Sequence, residues 1–459
     1  MAQLTPPRID TEADGSEPPR ARTAEPRRRL SSRLKQQLSL LIERNLGLVT
    51  LLDQATVSGT RFLIGVALAR FAGPADLGIY SLAFAAVIIV VCTQESLVCR
   101  PYTVFWRSRH DARRFRGSSL LHHLVLSGFS SAVALVAAAF FYVLNSEVAL
   151  IAGVLAIVLP SVLLWDFARR NCFAHLQMGT ALAIDGFSSA FQLLTIALLA
   201  YAGFLSASSA LLVVAGGALL TSLAWLALWR KNFLIGYRDS WGDWAHNWRF
   251  GRWAFATQLG GSLNGQVPGW LLLYFVGVAA TGTFTACENI VLLSNPLLLG
   301  LANLLEARSA EKAGTQGQEA LASYARKSFI MLTAITSVMA ITIFCVADWL
   351  LLILFGPDFT HAAGVVRILG IAVIAWGWIV VFAGTLAALG RPDASFKGTV
   401  AGLIATILAG IATVPLGGIA GAAVALVIGS YVSGAWQGLS LVAVLSEGRA
   451  PCTAATPTT

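Results

Sequence analysis

Near the middle of the first long apolar run of this chain stands an arginine, Arg61. A guanidinium submerged in hydrocarbon costs roughly a few kcal/mol or more unless it meets a partner or a wet cavity. Two readings follow: Arg61 faces a polar cleft and contacts a ligand there, or it pairs with a carboxylate such as Asp53, two turns earlier on a similar helical face. Gln54 adjoins Asp53, and submerged polarity recurs in three other apolar runs. Gln94 and Glu95 lie in the second run, Gln258, Asn264 and Gln266 in the seventh, and Glu288, Asn289 and Asn295 in the eighth. An amide inside an apolar helix either bonds a neighbouring helix or lines a groove, and both readings stay open. For Glu288 and Asp53 a third is available, a proton or sodium site, because intramembrane carboxylates often serve as one. The third run offers only Ser and His near its ends, and the last two are almost purely apolar.

Other chemistries lack their residues. The six cysteines (Cys92, Cys99, Cys172, Cys287, Cys345, Cys452) are scattered, with no CxxC pair, and read as small hydrophobes rather than as disulfides or a zinc site. No GxxxxGK[ST] is present, so ATP hydrolysis is not expected of this chain, and no cofactor is implied. Asp239 and Asp243 are too far apart for a DxD metal motif, and the loops opposite the basic ones are too short for a catalytic domain. An enzyme is therefore not expected.

The elements that must position these residues are membrane spans. Of 459 residues 56% are apolar and 12% charged, against about a quarter charged in soluble domains. Much of the surface must face something other than water. Apolar runs long enough to cross a bilayer lie near 47–71, 76–99, 119–143, 147–168, 179–201, 208–229, 251–277, 281–305, 323–346, 361–388, 393–415 and 417–443. The split between the last two rests on Pro415-Leu416-Gly417-Gly418 alone. Residues 1–29 have the composition of a disordered tail, and Leu30, Leu34, Leu38, Leu41 and Ile42 line one face of an amphipathic helix.

Charge orients the set. Of the 32 Lys and Arg, 29 fall in the tails or in alternate loops with the span ends that adjoin them, and the remaining three, Arg61, Arg70 and Arg367, lie inside proposed spans. Loops on the other side carry none, which places both termini and the basic loops in the cytoplasm. Arg100, Arg107, Arg109, Arg113, Arg114 and Arg116 crowd the loop after the second span. Topology accounts for them, and a role in gathering an anionic lipid-linked ligand at the cytoplasmic mouth is the alternative. Trp241, Trp244 and Trp248 recur at helical spacing between spans six and seven, suiting an in-plane interfacial helix. Arg70 and Arg367 sit near helix ends and can snorkel; Asp185, His122 and His123 read as structural.

The chain also resembles itself. A shift of 204 residues aligns Gln54 with Gln258, Ser58 with Ser262, Gly65 with Gly269, Leu68 with Leu272, Phe71 with Phe275, Gly73 with Gly277, Ala75 with Ala279 and Gly78 with Gly282. Tyr80/Phe284 and Ser81/Thr285 continue the likeness. Six spans per repeat preserve orientation, so the halves are expected to be parallel repeats about the membrane normal, with a ligand site between them.

The stretch Asp53-Gln54-Ala55-Thr56-Val57-Ser58-Gly59, leading into Ala69-Arg70-Phe71-Ala72-Gly73-Pro74-Ala75-Asp76-Leu77-Gly78-Ile79-Tyr80, resembles the first hairpin of polysaccharide flippases in the multidrug/oligosaccharidyl-lipid/polysaccharide (MATE-like) superfamily. Phe355-Gly356-Pro357-Asp358-Phe359, Ala387-Ala388-Leu389-Gly390-Arg391-Pro392 and Gly417-Gly418-Ile419-Ala420-Gly421-Ala422-Ala423 resemble that family's second half in order. The likeness covers about 47–445. It implies an all-α polytopic membrane protein of about 12 transmembrane helices in two pseudo-symmetric six-helix lobes, with a cleft lined by spans 1, 2, 7 and 8. The implied domains are a cytoplasmic tail with interfacial helix (1–46), an N-terminal lobe (47–229), an interfacial linker (230–250), a C-terminal lobe (251–445) and a cytoplasmic tail (446–459).

The resemblance further implies an inner-membrane transporter that flips a polyprenyl-pyrophosphate-linked oligosaccharide to the outer leaflet. A multidrug or cation antiporter of the same fold, or a membrane-embedded polysaccharide-assembly enzyme, is the alternative. Arg61 would then meet the pyrophosphate or sugar, with Asp53, Gln54, Glu95, Gln258, Asn264, Gln266, Glu288 and Asn289 as further substrate contacts. Arg100, Arg107 and Arg109 would form the basic mouth. The implied partners are the lipid-linked substrate, membrane lipids and polysaccharide polymerase or export machinery, not nucleic acid.

Overall fold

The structure is a computed structural model that describes residues 46–447, apart from His110, Glu147 and Ile235. The basic tail, its amphipathic helix and almost all of the C-terminal tail lie outside the described residues. Helix α1 (Leu46–Phe71) and helix α2 (Pro74–Gln94) form a hairpin, and α2 continues through a π turn (Glu95–Cys99) into α3 (Arg100–Phe105). Helices α4 (Ala112–Val143), α5 (Val148–Ala174), α6 (Met178–Tyr201) and α7 (Ala207–Trp229) complete the first half. The second half comprises α8 (Tyr237–Phe275), α9 (Val278–Leu292), α10 (Asn295–Thr315), α11 (Gly317–Leu354), α12 (Ala363–Ala388) and α13 (Pro392–Glu447).

Eight of these helical stretches are long and apolar enough to cross a membrane, and α9 with α10, bent by 49°, makes a ninth. The longest, α13, crosses twice, because the chain turns at Gly418 (φ 53). A Cβ on Gly410 would lie 3.6 Å from Ala425, one on Gly402 2.7 Å from Ser433, and one on Gly398 2.5 Å from Gln437. Partners that recede in step from a turn define two antiparallel arms. The split expected at Pro415–Gly418 is therefore real. Helices α1 and α8 are the less apolar crossings because they carry the submerged polar residues, and they bring the described crossings to twelve.

The two halves repeat their packing. Pairs α4/α5, α5/α7, α1/α6 and α6/α7 in the first half correspond to α11/α12, the α12/α13 contact, α8/α13 and the two arms of α13 in the second. Their first turns are copies as well. Gly73 (φ 92) and Gly277 (φ 121) adopt left-handed backbone that a Cβ would strain. Gly73 N–H donates to Leu68 O at 2.9 Å and Gly277 N–H to Leu272 O at 2.8 Å, closing α1 and α8 alike. Pro74 then opens α2 at a position where its missing N–H costs nothing.

The halves meet where α2 crosses α9. A Cβ on Gly78 would lie 2.1 Å from the Val278 carbonyl, and one on Gly282 1.8 Å from the Pro74 carbonyl. Both contacts are related by the same shift of 204 residues, so this crossing marks the pseudo-two-fold axis. Backbone on both sides cannot yield to an added methyl group. We expect Gly78→Ala to force the halves apart at this end, read as a longer distance between spin labels at Ala75 and Ala279. An unchanged distance would show that the contact does not hold the halves together.

Two departures from simple spans have local causes. Pro101 has no N–H for the Leu97 carbonyl and its ring crowds that group, so the helix widens into a π turn just before it. The Trp-rich stretch expected as an in-plane helix is continuous with the crossing that follows: α8 runs unbroken for 39 residues, about 58 Å at 1.5 Å per residue. Its first turns pack on α4, where His122 Nε2 lies 2.9 Å from the Ser240 carbonyl and its ring 5.3 Å from Trp244.

Candidate functional site

Between the halves lies a cavity of about 480 Å³. Its walls come from α1, α2, α8, α9 and the start of α10, the first two crossings of each half. Sixteen of the 24 wall positions fall in pairs related by the internal repeat. Positions 61, 62, 65, 77, 80, 81, 84 and 88 line one side; 265, 266, 269, 281, 284, 285, 288 and 292, each 204 further on, line the other. A pseudo-two-fold axis through the Gly78/Gly282 crossing generates both walls from one helix-hairpin design.

Arg61 is the cation of this cavity. Its guanidinium carbon stands 5.0 Å from the centre of the Phe84 ring. Among the described residues no carboxylate pairs with it and no hydrogen bond engages it; its side chain is exposed to the cavity. Small residues on α1 (Ala55, Ser58, Gly59, Gly65) leave the room in front of it. A second, small cavity of about 40 Å³ inside the first half, bordered by Thr60, Ser188, Ser189 and Gln192, also touches Arg61. From the second half, Gln266, Glu288 and Asn289 enter the main cavity, as does Asn295 at the α9–α10 bend.

The other candidates are placed elsewhere. Asp53 is 1% exposed and accepts from Arg169 Nη2 at 2.6 Å; Arg169 Nε donates to Asp185 as well. Gln54 is exposed away from the cavity lining. Glu95 accepts from Arg170 Nη2 at 2.9 Å and lies 3.8 Å from Arg100. Arg170 Nε also donates to both Asp166 oxygens, and Gln94 joins Asp166 to His123. Gln258 and Ser262 meet Cys92 across the boundary between halves, with Ser262 Oγ 3.1 Å from Cys92 Sγ. Asn264 accepts from Thr406 Oγ1 at 2.7 Å inside the second half.

This ion-pair network ties α1, α2, α5 and α6 together and lies apart from the cavity. Residues 169–178, which fall between the expected spans 147–168 and 179–201, are helical as far as Ala174 and include Arg169 and Arg170. The i,i+4 pair Asp166/Arg170 was the signal that the helix continues through them. The aromatic lining, Phe62, Tyr80, Phe84 and Phe284, has no signature in the sequence, because an aromatic in an apolar run looks like any core residue.

At the basic end the arginines are partly engaged. Arg109 lies 3.4 Å from Asp243 and 5.0 Å from the Phe115 ring; Arg107 sits 5.3 Å from the Trp106 ring. His175 Nε2 accepts from Arg116 Nη2 at 2.6 Å and lies 2.7 Å from Tyr102 Oη. Burial, with Arg116 and Arg107 nearby, pushes this imidazole down to about 4, so it is neutral and free to accept. At the opposite end Arg70 Nε donates to the Leu354 carbonyl at 2.8 Å and Nη2 to Ile353. A side chain of the first half thus caps orphan carbonyls at the end of α11 in the second, beside the Phe62–Phe355 ring contact.

A family model described as "Polysaccharide biosynthesis protein" matches residues 45–304, more than half of the chain. The chain belongs to this polysaccharide biosynthesis protein family. The matched part carries the whole first half and every residue that lines the cavity. No curated protein sequence matches the chain. Among solved structures it is similar to the inward-facing conformation of a multidrug resistance MATE family transporter of the MOP superfamily: TM-score 0.73, 16% identity, 86% of this chain and 96% of that one. The outward-facing conformation of such a transporter aligns with TM-score 0.60, 15% identity, 87% of this chain and 96% of that one. The lipid II flippase MurJ, in an inward closed conformation, aligns with TM-score 0.68, 11% identity, 87% of this chain and 89% of that one. The family member therefore has the MATE-like fold of two six-helix lobes, and it is a multi-pass membrane protein.

Proposed function

We propose that this chain flips a polyprenyl-pyrophosphate-linked oligosaccharide from the cytoplasmic to the outer leaflet by alternating access of the cavity between its lobes. The observation that carries this reading is Arg61, with no ion pair or hydrogen bond among the described residues, on the wall of a cavity at the pseudo-symmetry axis that also holds Gln266, Glu288 and Asn289. A pyrophosphate with sugars loses several kcal/mol for each polar group left bare in hydrocarbon, so its passage needs such a chamber. Lobes related by an axis along the membrane normal have the geometry of rocking-type transport, with the site at their interface. Membership of a polysaccharide biosynthesis family supports a saccharide cargo, and the likeness to a lipid II flippase supports a lipid-linked one.

The basic end is assigned to the cytoplasm, with both termini there, and the membrane to the inner membrane. The domains are a tail to residue 46, lobes at 47–229 and 251–445, and a linker at 230–250. The Gly78/Gly282 crossing and the Arg70 cap then close the outer side. Contacts with a polymerase or export machinery would follow from position in the pathway.

Proteoliposomes holding the full-length protein provide the test. Fluorescent polyprenyl-pyrophosphate-sugar in the inner leaflet should become accessible to a membrane-impermeant reductant faster than in protein-free vesicles. Equal rates, with a cationic drug exported against a proton gradient instead, would overturn the flippase reading in favour of the antiporter.

A further inference from the structure

The cavity walls are symmetric in position and differ in chemistry at four of their eight paired positions. Arg61 on the first wall corresponds to Gly265 on the second, Phe62 to Gln266, Leu77 to Thr281 and Phe84 to Glu288. The first wall holds the cation and three aromatics (Phe62, Tyr80, Phe84) beside the Ser58 and Ser81 hydroxyls; the second holds one aromatic, Phe284, with hydroxyls, amides and the carboxylate. A Cβ on Gly265 would meet nothing within 4 Å, so space lies open where a second arginine would stand. The aromatic under Arg61, Phe84, has Glu288 as its counterpart. Like Arg61, Glu288 has no ion pair or hydrogen bond among the described residues, and Asn289 beside it also faces the cavity. A repeat that has kept its backbone while dividing its side chains in this way fits a ligand with two unlike ends.

We propose that the two walls divide the cargo's head group: the pyrophosphate lies against Arg61, and the sugar attached to it lies against the second wall, where Glu288 selects its charge. This rests on the flippase reading above. A volume of about 480 Å³ holds a pyrophosphate and its first sugar rather than a long glycan. Sugar hydroxyls, an acetamido N–H or an amine donate to the Glu288 carboxylate. A uronic acid at the same place sets carboxylate against carboxylate in a cavity of low dielectric, where like charges repel most. The preferred cargo thus carries a neutral or amino sugar next to the pyrophosphate, and acidic sugars are excluded from that position. Glu288 determines specificity by rejecting the wrong ligand as much as by holding the right one.

The test uses the full chain in nanodiscs and two synthetic ligands on the same polyprenyl pyrophosphate, one bearing N-acetylglucosamine and one glucuronic acid. Wild type should bind the neutral ligand roughly tenfold or more tighter, the expected effect of one like-charge contact. Glu288→Gln, with the same shape and no charge, should gain glucuronate binding, so that the ratio of the two affinities falls toward one. Arg61→Ala should weaken both ligands together. Equal binding of the two ligands to wild type, or an unchanged preference in Glu288→Gln, overturns the assignment of Glu288 and leaves the flippase reading standing. Failure of both ligands to bind wild type removes that reading, and this inference with it.

Discussion

Arg61→Ala is expected to insert and fold normally and to leave lipid-linked oligosaccharide stranded on the cytoplasmic leaflet, with surface polysaccharide lost. Normal folding follows from what Arg61 touches. It gives up no ion pair and no hydrogen bond to the described residues, only its position over Phe84, worth about 0.5–2 kcal/mol. Loss of transport follows from what it leaves uncovered. A charge-assisted bond to a phosphate contributes about 1.5–3 kcal/mol, so the variant should bind pyrophosphate roughly ten to a hundred times more weakly. Arg61→Lys keeps the charge but loses the planar fork, and should retain part of the activity. Thin-layer analysis of the lipid-linked pool, beside immunoblots of membrane fractions, separates transport from abundance. Normal export by Arg61→Ala would remove the residue from the mechanism.

Arg169→Ala should do the reverse, destroying the protein rather than its transport. Arg169 is 8% exposed and holds Asp53 and Asp185, which are 1% and 0% exposed. Removing it strands two buried carboxylates, each with a second oxygen that already lacks a partner. Breaking a buried pair from one side costs roughly 3–5 kcal/mol, enough to unfold a marginally stable lobe. The measurable result is loss of monodisperse protein in detergent and a lower melting temperature. Arg100→Ala provides the contrast: its side chain is 47% exposed and its distance to Glu95 is 3.8 Å, so its loss should scarcely move the melt. Substituting Asp185→Asn in the Arg169→Ala background should recover part of the stability by removing one stranded charge. A melt of Arg169→Ala equal to wild type would mean that the network contributes nothing to the fold.

The two arginines show where sequence reasoning reaches and where it stops. Both lie within helices, one in the middle of an apolar run and one at the end of another. Arg61 was legible because a charge in hydrocarbon is costly by its depth alone. Asp53 looked equally eligible for the cavity, being nearby in sequence and on a similar face. Its partner Arg169 lies 116 residues away, on a helix whose position against α1 no local pattern encodes. Gln258 and Asn264 are similar: each is polar and submerged, and each is occupied by a neighbour from another helix.

Length and composition located the twelve crossings, because bilayer thickness acts along one dimension, and the likeness of the chain to itself at a shift of 204 residues located the two-fold repeat. The repeat even located the turn glycines, Gly73 and Gly277, and the crossing pair Gly78 and Gly282. Only the tertiary structure decided which submerged side chains share a cavity, and that one wall carries Arg61 over Phe84 while its counterpart carries Glu288. The reason is rotational: spacing along a helix says which residues share a face, and only the packing of distant helices says what that face meets.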